Sequence, residues 1–330
     1  MIDSPVALPS PLADDEVVLA VDVGGTTLKG AAVGRSGEIV TRLTSPTFGV
    51  HGKALDGLLR LAETLRGSAR ELGYRATRVG VASPGHVEPA SGTVVFAANL
   101  QWKDIELKRI LEASLGLPVA VEHDARAGAI AERNASGAEG LDNFLFVPIG
   151  TGVSAAVVTG GSLVLGASGA SGEFGHVPVI PDGELCTCGG RGCVEAYASG
   201  TTILTRYLRN GGTRATSARE IALSLDSDPV AASVWDDAVG ALAAGLAGMI
   251  AVLDPATIVI GGGLSQAGDA LLVPLRRSVQ SRLSWRTAPA IVQSALGAQG
   301  GMVGAAILGW GGSAIEAGFG RNVSTASTPA

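Results

Sequence analysis

The chain has 330 residues, 46% hydrophobic and 16% charged, which is typical of a globular protein long enough for two domains. Its 24 basic and 30 acidic residues give a net charge of −6, which argues against broad nucleic-acid binding because that needs a basic face. There is no secretion signal and no apolar run of membrane-span length, so we expect a cytoplasmic protein without a nucleic-acid or membrane partner.

The first half of the chain alternates short β-rich runs with helical patterns. Residues 1–15 lack both patterns and are expected to be a disordered lead-in. Apolar residues at helical spacing predict helices, and β-branched runs bounded by glycine or proline predict strands. The predicted strands cover 17–23, 28–34, 37–45, 78–85 and 117–125, and the predicted helices cover 53–73, 104–115 and the segment that begins at 125.

The second half repeats the opening pattern in a weaker form. Residues 144–164 read as strand, glycine turn, strand, glycine turn and strand, like residues 17–40. Such self-similarity predicts two duplicated α/β domains that face each other across a cleft. Further on, the sequence predicts an apolar helix over 231–253, a strand with a glycine-rich turn over 254–268, a last helix over 301–310 and a frayed tail over 317–330.

Three glycine-rich turns are candidate phosphate-binding loops. The sequence VDVGGTTLKG continues as a strand, so it predicts a β-hairpin instead of a dinucleotide-binding turn, which needs a helix there. Glycine lets backbone N–H groups approach phosphate, threonine adds a hydroxyl donor, and an aspartate before the turn can hold Mg²⁺ through water. Any one such turn is weak support, and no Walker motif is present. The candidate nucleotide-binding residues are Asp22, Gly24, Gly25, Thr26, Thr27, Gly150, Thr151, Gly152, Gly262 and Gly263.

The three cysteines of the chain lie together in the stretch CTCGGRGC. Cys186, Cys188 and Cys193, with His176 upstream, make a complete ligand set for a structural, tetrahedral zinc ion. Three ordinary thiols in a loop are the alternative. The carboxylates of Glu173 and Glu195 lie next to these ligands in sequence, so a metal there would also help to fix a binding site.

Taken together, these motifs resemble the ROK family of repressors, open reading frames and sugar kinases. The resemblance covers the chain from Val17 to about Gly309, and the cysteine segment is its most specific element. The matching segments are DVGGTTLKG (22–30), SPG (83–85), ANLQW (98–102), HDARAG (123–128), GTG (150–152), GASGEFGH (169–176), CTCGGRGCVEAYASG (186–200) and IVIGGGLS (258–265).

The resemblance implies an actin-like ATPase (ribonuclease H-like) fold with two α/β domains around a cleft. A small domain would take residues 16–123 plus about 301–316, and a large domain 124–300, including the zinc segment 176–193. It implies a homodimer that uses ATP with Mg²⁺ to phosphorylate a hexose, glucose first, at its 6-hydroxyl. Asp124 would be the catalytic base. The residues that would contact the sugar are Gly85, Asn99, Asp124, Glu173, His176 and Glu195.

Several of these assignments have alternatives. Asp124 could be a helix N-cap, Asn99 a turn residue, Glu173 and Glu195 surface carboxylates, and Lys29 either a phosphate ligand or a solvated lysine.

The chain also departs from the family pattern. His123 replaces the usual asparagine before the catalytic aspartate, and Ser154 stands where glycine is common. Either change puts the sugar in doubt: fructose, mannose, allose or N-acetylmannosamine are alternatives, and polyphosphate is an alternative donor.

Two functions other than an active kinase are open. A sugar-responsive repressor needs a winged helix-turn-helix, and only about sixteen residues precede the first predicted strand. A catalytically weak sugar-binding protein is the other alternative, on account of His123.

Overall fold

The structure, a computed structural model, describes residues 15–48, 52–136 and 141–311. The predicted lead-in up to residue 14 and the predicted tail from residue 317 lie outside the described residues. The strands are β1 (Glu16–Val23), β2 (Thr27–Val33), β3 (Ile39–Pro46), β4 (Arg75–Ser83), β5 (His86–Glu88), β6 (Thr93–Ala97), β7 (Trp102–Ile105), β8 (Val119–His123), β9 (Phe144–Pro148), β10 (Ala156–Thr159), β11 (Ser162–Leu163), β12 (Thr257–Gly261) and β13 (Ala290–Gln293).

Helices connect and cover these strands. Most coincide with the predicted helical segments, but three short helices around residues 195–223 were not predicted. The helices are α1 (Ala54–Glu71), α2 (Leu107–Leu115), α3 (Asp124–Ala135), α4 (Glu195–Ala198), α5 (Gly200–Arg209), α6 (Ala218–Leu223), α7 (Pro229–Leu253), α8 (Asp269–Arg282) and α9 (Gly300–Gly309).

Two five-stranded sheets share one topology. The first has the order β3-β2-β1-β4-β8 and the second the order β11-β10-β9-β12-β13. In each, an antiparallel three-stranded meander is followed by two parallel strands. This repetition confirms the predicted duplication of one α/β unit.

A third sheet, of order β5-β6-β7, was not predicted. It lies between β4 and α2 in the chain. The helix predicted from residue 104 begins only at Leu107, because Trp102–Ile105 pairs with β6 as strand β7. A short run of mixed residues that gains its partner from a neighbouring strand carries little signal in the sequence.

Helices α3 and α9 lie between the two large sheets. Ala127 and Ala131 of α3 share a buried cluster with Val303 of α9 and with Val18 of β1. The opposite side of α3 packs on the second sheet, where Ala125 and Ala129 meet β9. The outer faces of the sheets are covered by α1 and α2 on one side and by α5, α7 and α8 on the other. Helices on both faces explain why β1 is a continuous apolar run.

The contact between α3 and α9 is close enough to need glycine. A Cβ atom on Gly304 of α9 would lie 2.1 Å from the carbonyl oxygen of Ala127 on α3. Only a residue without a side chain allows the two backbones to approach this far. The contact matters for the site because α3 begins at Asp124.

Helix α7 corrects one prediction. It has 25 residues and is apolar enough to cross a membrane by length and composition, so the prediction that no such run exists was wrong. Trp235 and Leu242 of this helix are buried in the core of the second sheet. Asp237 accepts a hydrogen bond from Arg206 of α5 at 2.5 Å. A core helix and a membrane helix share this length and composition, and 44% of the most apolar part of α7 is buried within the structure.

Candidate functional site

The turn between β1 and β2 is a tight hairpin. The Gly24 N–H donates to the Thr27 carbonyl at 3.0 Å. Thr47, which is fully buried, donates its hydroxyl to the Gly24 carbonyl at 2.6 Å, and its N–H donates to the Thr26 carbonyl at 3.0 Å. Strand β2 runs antiparallel to β1. The structure therefore confirms the predicted hairpin.

The other two glycine-rich turns lie side by side. The Gly150 N–H donates to the Gly152 carbonyl at 2.9 Å, which closes the turn after β9. Ile149, just before that turn, donates its N–H to the Gly261 carbonyl at 3.0 Å and accepts from the Leu264 N–H at 3.0 Å. These bonds fix the turn after β12 against the turn after β9.

The two hairpin turns also meet each other across the cleft. A Cβ atom built on Gly25 would lie 3.2 Å from the side-chain nitrogen of Asn99 and 3.7 Å from the methyl group of Thr151. The first sheet supplies Gly25 and the second sheet supplies Thr151. Gly25, Asn99 and Thr151, which are far apart in sequence, therefore lie next to one another in the structure.

Asp22, at the end of β1, is a carboxylate beside the first turn. Burial raises its pKa to about 6, against the opposing effect of the Lys29 ammonium, and the nearby charge of Asp124 raises it further. Lys29 Nζ lies 3.7 Å from Asp22 Oδ2 and donates to the Ala298 carbonyl at 3.4 Å. The Lys29 side chain is thus close to the Asp22 carboxylate and 44% exposed, and the two alternatives for its role both stay predictions.

Asp124 is the first residue of α3 and follows directly on the parallel strand β8. Its Oδ1 accepts the Ala125 N–H at 2.6 Å and lies 3.3 Å from His123 Nε2. Among the described residues, no hydrogen bond to its Oδ2 is present. An N-cap side chain bonds the N–H two or three residues on, so this contact differs from a usual cap. Burial raises the pKa of Asp124 to about 6, although Ala125 and Arg126 oppose the shift.

His123 is buried and electrically neutral near pH 7. Burial, and next the Arg126 guanidinium, lower the pKa of its imidazole to about 4. Its Nε2 lies beside the Asp124 carboxylate, at 3.3 Å from Oδ1, without forming a hydrogen bond to it. Its Nδ1 is buried without a hydrogen-bond partner among the described residues.

The structure gives contacts for three more of the candidate sugar-binding residues. Gly85 packs on β6, where its Cβ would lie 2.3 Å from the Phe96 carbonyl oxygen. Glu173 precedes a short 3-10 turn and His176 ends it, with Oε2 and Nε2 3.9 Å apart. Glu173 is near enough to raise the pKa of His123, in opposition to burial.

Glu195 has a contact that sequence analysis did not predict. Its Oε2 accepts the Val153 N–H at 2.8 Å. Val153 ends the turn that contains Thr151, and Glu195 begins helix α4 just after the cysteine segment. The carboxylate therefore links the cysteine segment to the second glycine-rich turn.

The predicted metal ligands come together in space. One ligand atom from each of His176, Cys186, Cys188 and Cys193 lies within 4.8 Å of all the others. Cys188 Sγ is 3.8 Å from Cys193 Sγ, and Cys186 Sγ is 3.7 Å from His176 Nδ1. Tetrahedral zinc with Zn–S bonds of about 2.3 Å separates its sulfurs by about 3.8 Å. The donor set and its spacing thus fit a four-coordinate zinc ion with His176 bound through Nδ1.

Three residues near the site were missed at the sequence level. Arg126 of α3 is buried and donates from Nε to Glu122 Oε1 of β8 at 2.6 Å, and helical spacing does not mark this pair because Glu122 lies in a strand. His86 follows the SPG segment and contacts the Ser168 carbonyl at 2.5 Å. No sequence signal marks that second contact, because it joins segments 82 residues apart.

The chain is similar in sequence to known proteins. The model of the ROK family matches residues 18–310. A glucokinase from Streptomyces coelicolor is 33% identical over 313 residues, which are 88% of this chain and 97% of the relative. A glucokinase from Thermotoga maritima is 35% identical over 307 residues, 88% and 96% of the two chains.

A solved structure is also similar. It is the crystal structure of a ROK family glucokinase from Streptomyces griseus in complex with glucose and AMPPNP. Its TM-score is 0.79 at 31% identity, and the match covers 89% of this chain and 99% of the other.

Proposed function

This chain belongs to the ROK family, and on that premise we propose that it transfers the γ-phosphoryl group of ATP to the 6-hydroxyl of a hexose, with glucose as the first candidate. The observation that carries the proposal is the meeting of the two glycine-rich hairpin turns, at Gly25 and Thr151, in a cleft that also holds the Asp22 and Asp124 carboxylates. Such a site offers backbone donors to phosphate and a base to a hydroxyl.

Asp124 would act as the general base. Its Oδ1 accepts the Ala125 N–H and lies 3.3 Å from His123 Nε2, so Oδ2 is the oxygen left for the sugar hydroxyl. As the sugar oxygen attacks phosphorus, a new O–P bond forms and the bond to the bridging oxygen of ADP breaks. Oδ2 then holds the proton. A pKa of about 6 keeps the carboxylate mostly ionised at pH 7 and still close to the pKa range of an effective base.

The nucleotide would lie along the three glycine-rich turns. The N–H groups of Gly25, Thr26, Thr151 and Gly152 are the proposed phosphate donors, and the turn at Gly262 and Gly263 would accommodate the rest of the nucleotide. Kinases use ATP as its magnesium complex. The ion would neutralise the negative charge that develops on the leaving ADP. Asp22 is the residue that would orient it, through water, from the end of β1.

The sugar would lie between the 3-10 turn at 174–176 and the residues Gly85 and Asn99. Glu173, His176 and Glu195 carry the proposed hydroxyl contacts. We propose that a structural zinc ion holds Cys186, Cys188, Cys193 and His176 Nδ1, which fixes the imidazole ring and leaves Nε2 for the sugar. The bond from Val153 to Glu195 supports this arrangement, since it connects the cysteine segment to the phosphate turn.

The remaining expectations are proposals of the same kind. The division into a small domain of residues 16–123 plus 301 onward and a large domain of residues 124–300 follows the two sheets, although α3 packs on both of them. A homodimer in the cytoplasm, with a role in glycolysis, is likewise proposed from the family resemblance. Residues 312–316 of the small domain lie outside the described residues.

The test is an assay of purified protein with ATP, Mg²⁺ and a panel of hexoses and N-acetylhexosamines. ADP release and the sugar phosphate should be measured separately, with polyphosphate replacing ATP in a parallel arm. We expect sugar phosphate from glucose, in amounts equal to the ADP released. No product from any sugar with either donor would falsify the kinase proposal. Sugar binding without turnover, together with specific DNA binding at low salt, would favour a regulator.

A further inference from the structure

We propose that Arg126 is a positioning residue of this kinase. Together with His86, it holds the loop of residues 166–170 against strand β5, and this contact sets the affinity for the sugar. The inference rests on the proposed function, because it assigns a role in sugar binding to a contact outside the set of proposed ligands.

Arg126 joins four segments of the chain. From its place in α3, its guanidinium donates to Glu122 Oε1 of β8 at 2.6 Å, to the Gly169 carbonyl at 2.8 Å and to the Val87 carbonyl of β5 at 3.0 Å. The side chain is only 2% exposed. Each of the three guanidinium nitrogens thus donates to an oxygen from a different segment, and the planar, rigid fork fixes their relative positions.

The loop that it holds has little support of its own. The Ser171 N–H donates to the Leu165 carbonyl at 3.2 Å and closes the base of the loop. In the part of the chain that the structure describes, no backbone-to-backbone hydrogen bond reaches residues 166–170. The contacts that hold the tip are Arg126 to the Gly169 carbonyl and His86 Nε2 to the Ser168 carbonyl, at 2.8 and 2.5 Å.

The fit between the loop and β5 is tight. Gly169 has a φ of +79°, and a Cβ atom there would lie 3.4 Å from the Val87 carbonyl oxygen and 3.5 Å from His86 Nε2. The loop backbone therefore lies directly on β5, in a conformation that favours glycine. Side chains, and not a backbone ladder, decide where this segment lies.

The loop leads straight to a proposed sugar ligand. Glu173 follows it after three residues, and the Gly172 carbonyl accepts the Ala155 N–H at 2.8 Å. The backbone next to Glu173 is thus held by the second sheet, while Arg126 and His86 hold the loop of residues 166–170 that leads to it.

Arg126 is also linked to the proposed base, Asp124, through Glu122. Glu122 Oε1 accepts both Arg126 Nε and the backbone N–H of His123, at 2.6 and 2.7 Å. Arg126 therefore couples the position of Glu173 to that of Asp124, so both can meet one sugar.

The experiment compares Arg126→Lys with the wild type, using glucose and ATP as the varied substrates. Lysine keeps the charge but cannot bond Glu122, Gly169 and Val87 together. We expect the KM for glucose to rise about tenfold or more, because a displacement of about 1 Å in a binding group has effects of this order. The KM for ATP should stay within about threefold of the wild-type value. Arg133→Lys, an exposed arginine on the same helix, is the matched control and should change neither constant.

A double-mutant cycle separates positioning from general damage. If Arg126 acts through Glu173, the rise in glucose KM caused by Arg126→Lys should shrink to less than about threefold in a Glu173→Gln background. Full additivity, an unchanged glucose KM, or an equal rise for glucose and ATP would overturn the inference.

A second pair covers the case in which Arg126→Lys does not fold. His86→Leu removes the other contact to the loop, and His86→Gln restores a donor for the Ser168 carbonyl. We expect a raised glucose KM in the first variant and recovery in the second, and no difference between them would count against the proposal.

Glucose binding measured by calorimetry without ATP gives the same comparison independently of turnover. A wild type that binds glucose but transfers no phosphate would refute the kinase function and leave the loop contact testable.

Discussion

His123 Nε2 lies 3.3 Å from Asp124 Oδ1, the same oxygen that accepts the Ala125 N–H at 2.6 Å. Both contacts therefore fall on one oxygen of the carboxylate. Among the described residues, the other oxygen, Oδ2, accepts no hydrogen bond, which leaves it for a substrate hydroxyl. The unusual residue before the aspartate thus lies directly against it in this chain.

Asp124→Asn should abolish most of the turnover. The amide keeps the shape of the side chain but cannot accept the proton of the sugar hydroxyl, so kcat should fall about a thousandfold. Glucose affinity, measured by calorimetry, should stay within about threefold. Asp142→Asn, which removes an exposed carboxylate paired with Arg133, is the control and should retain full activity.

The rate should fall in acid with a midpoint near pH 6. The pKa of Asp124 is raised from 3.8 to about 6, so this base becomes protonated, and loses its function, as the pH drops through that value. Asp22 titrates at about the same pH, so the measured midpoint belongs to the pair. A profile of kcat against pH between 4.5 and 8.5 would measure it, and activity that is constant down to pH 4.5 would contradict the assignment.

His123→Phe should move that midpoint upward by about 0.5–1 pH unit. The phenyl ring removes the Nε2 atom that lies 3.3 Å from Asp124 Oδ1 and that can donate to the ionised carboxylate in solution, so protonation becomes easier. His123→Asn can still donate, and its midpoint should stay near that of the wild type. If the two variants have the same midpoint, the imidazole does not donate to Asp124.

Cys186→Ser should release the proposed zinc and weaken sugar binding before it affects chemistry. We expect loss of one metal ion per chain by elemental analysis, a marked fall in melting temperature and about a tenfold higher KM for glucose. The exposed neighbour Leu185 provides the control, as Leu185→Ala should keep both metal and KM. A metal-free protein with a normal glucose KM would show that the cysteine segment does not support the pocket.

Gly304→Ala should destabilise the protein by about 3 kcal/mol, because its Cβ must displace the Ala127 carbonyl or force α9 away from α3. Denaturant unfolding would measure the change in the free energy of unfolding. Gly240→Ala is the matched control, since a Cβ atom at this helical glycine of α7 meets no atom within 4 Å. It should be neutral or stabilising by up to about 1 kcal/mol.

Much of the site could be predicted from the sequence, where local patterns carry chemistry. The hairpin at Gly24–Thr27, the second copy near Gly150 and the cysteine segment with His176 all have short-range signatures. The contacts that Arg126 and His86 make with the loop at 166–170 could not be predicted, because nothing local marks a partner that is distant in sequence. The same holds for the bond from Val153 to Glu195.

The sequence by itself determined the duplicated α/β pattern, the family and the identity of the chemical groups: the glycine turns, Asp124 and the ligands that fit zinc. Only the tertiary structure decided which of these groups meet. It placed Gly25 against Thr151, brought the Ala125 N–H and the His123 ring to one oxygen of Asp124 and buried Arg126 where four segments join. The physical reason is that periodicity and glycine content report local backbone preference, whereas burial, the resulting pKa shifts and side-chain partners depend on how distant segments pack.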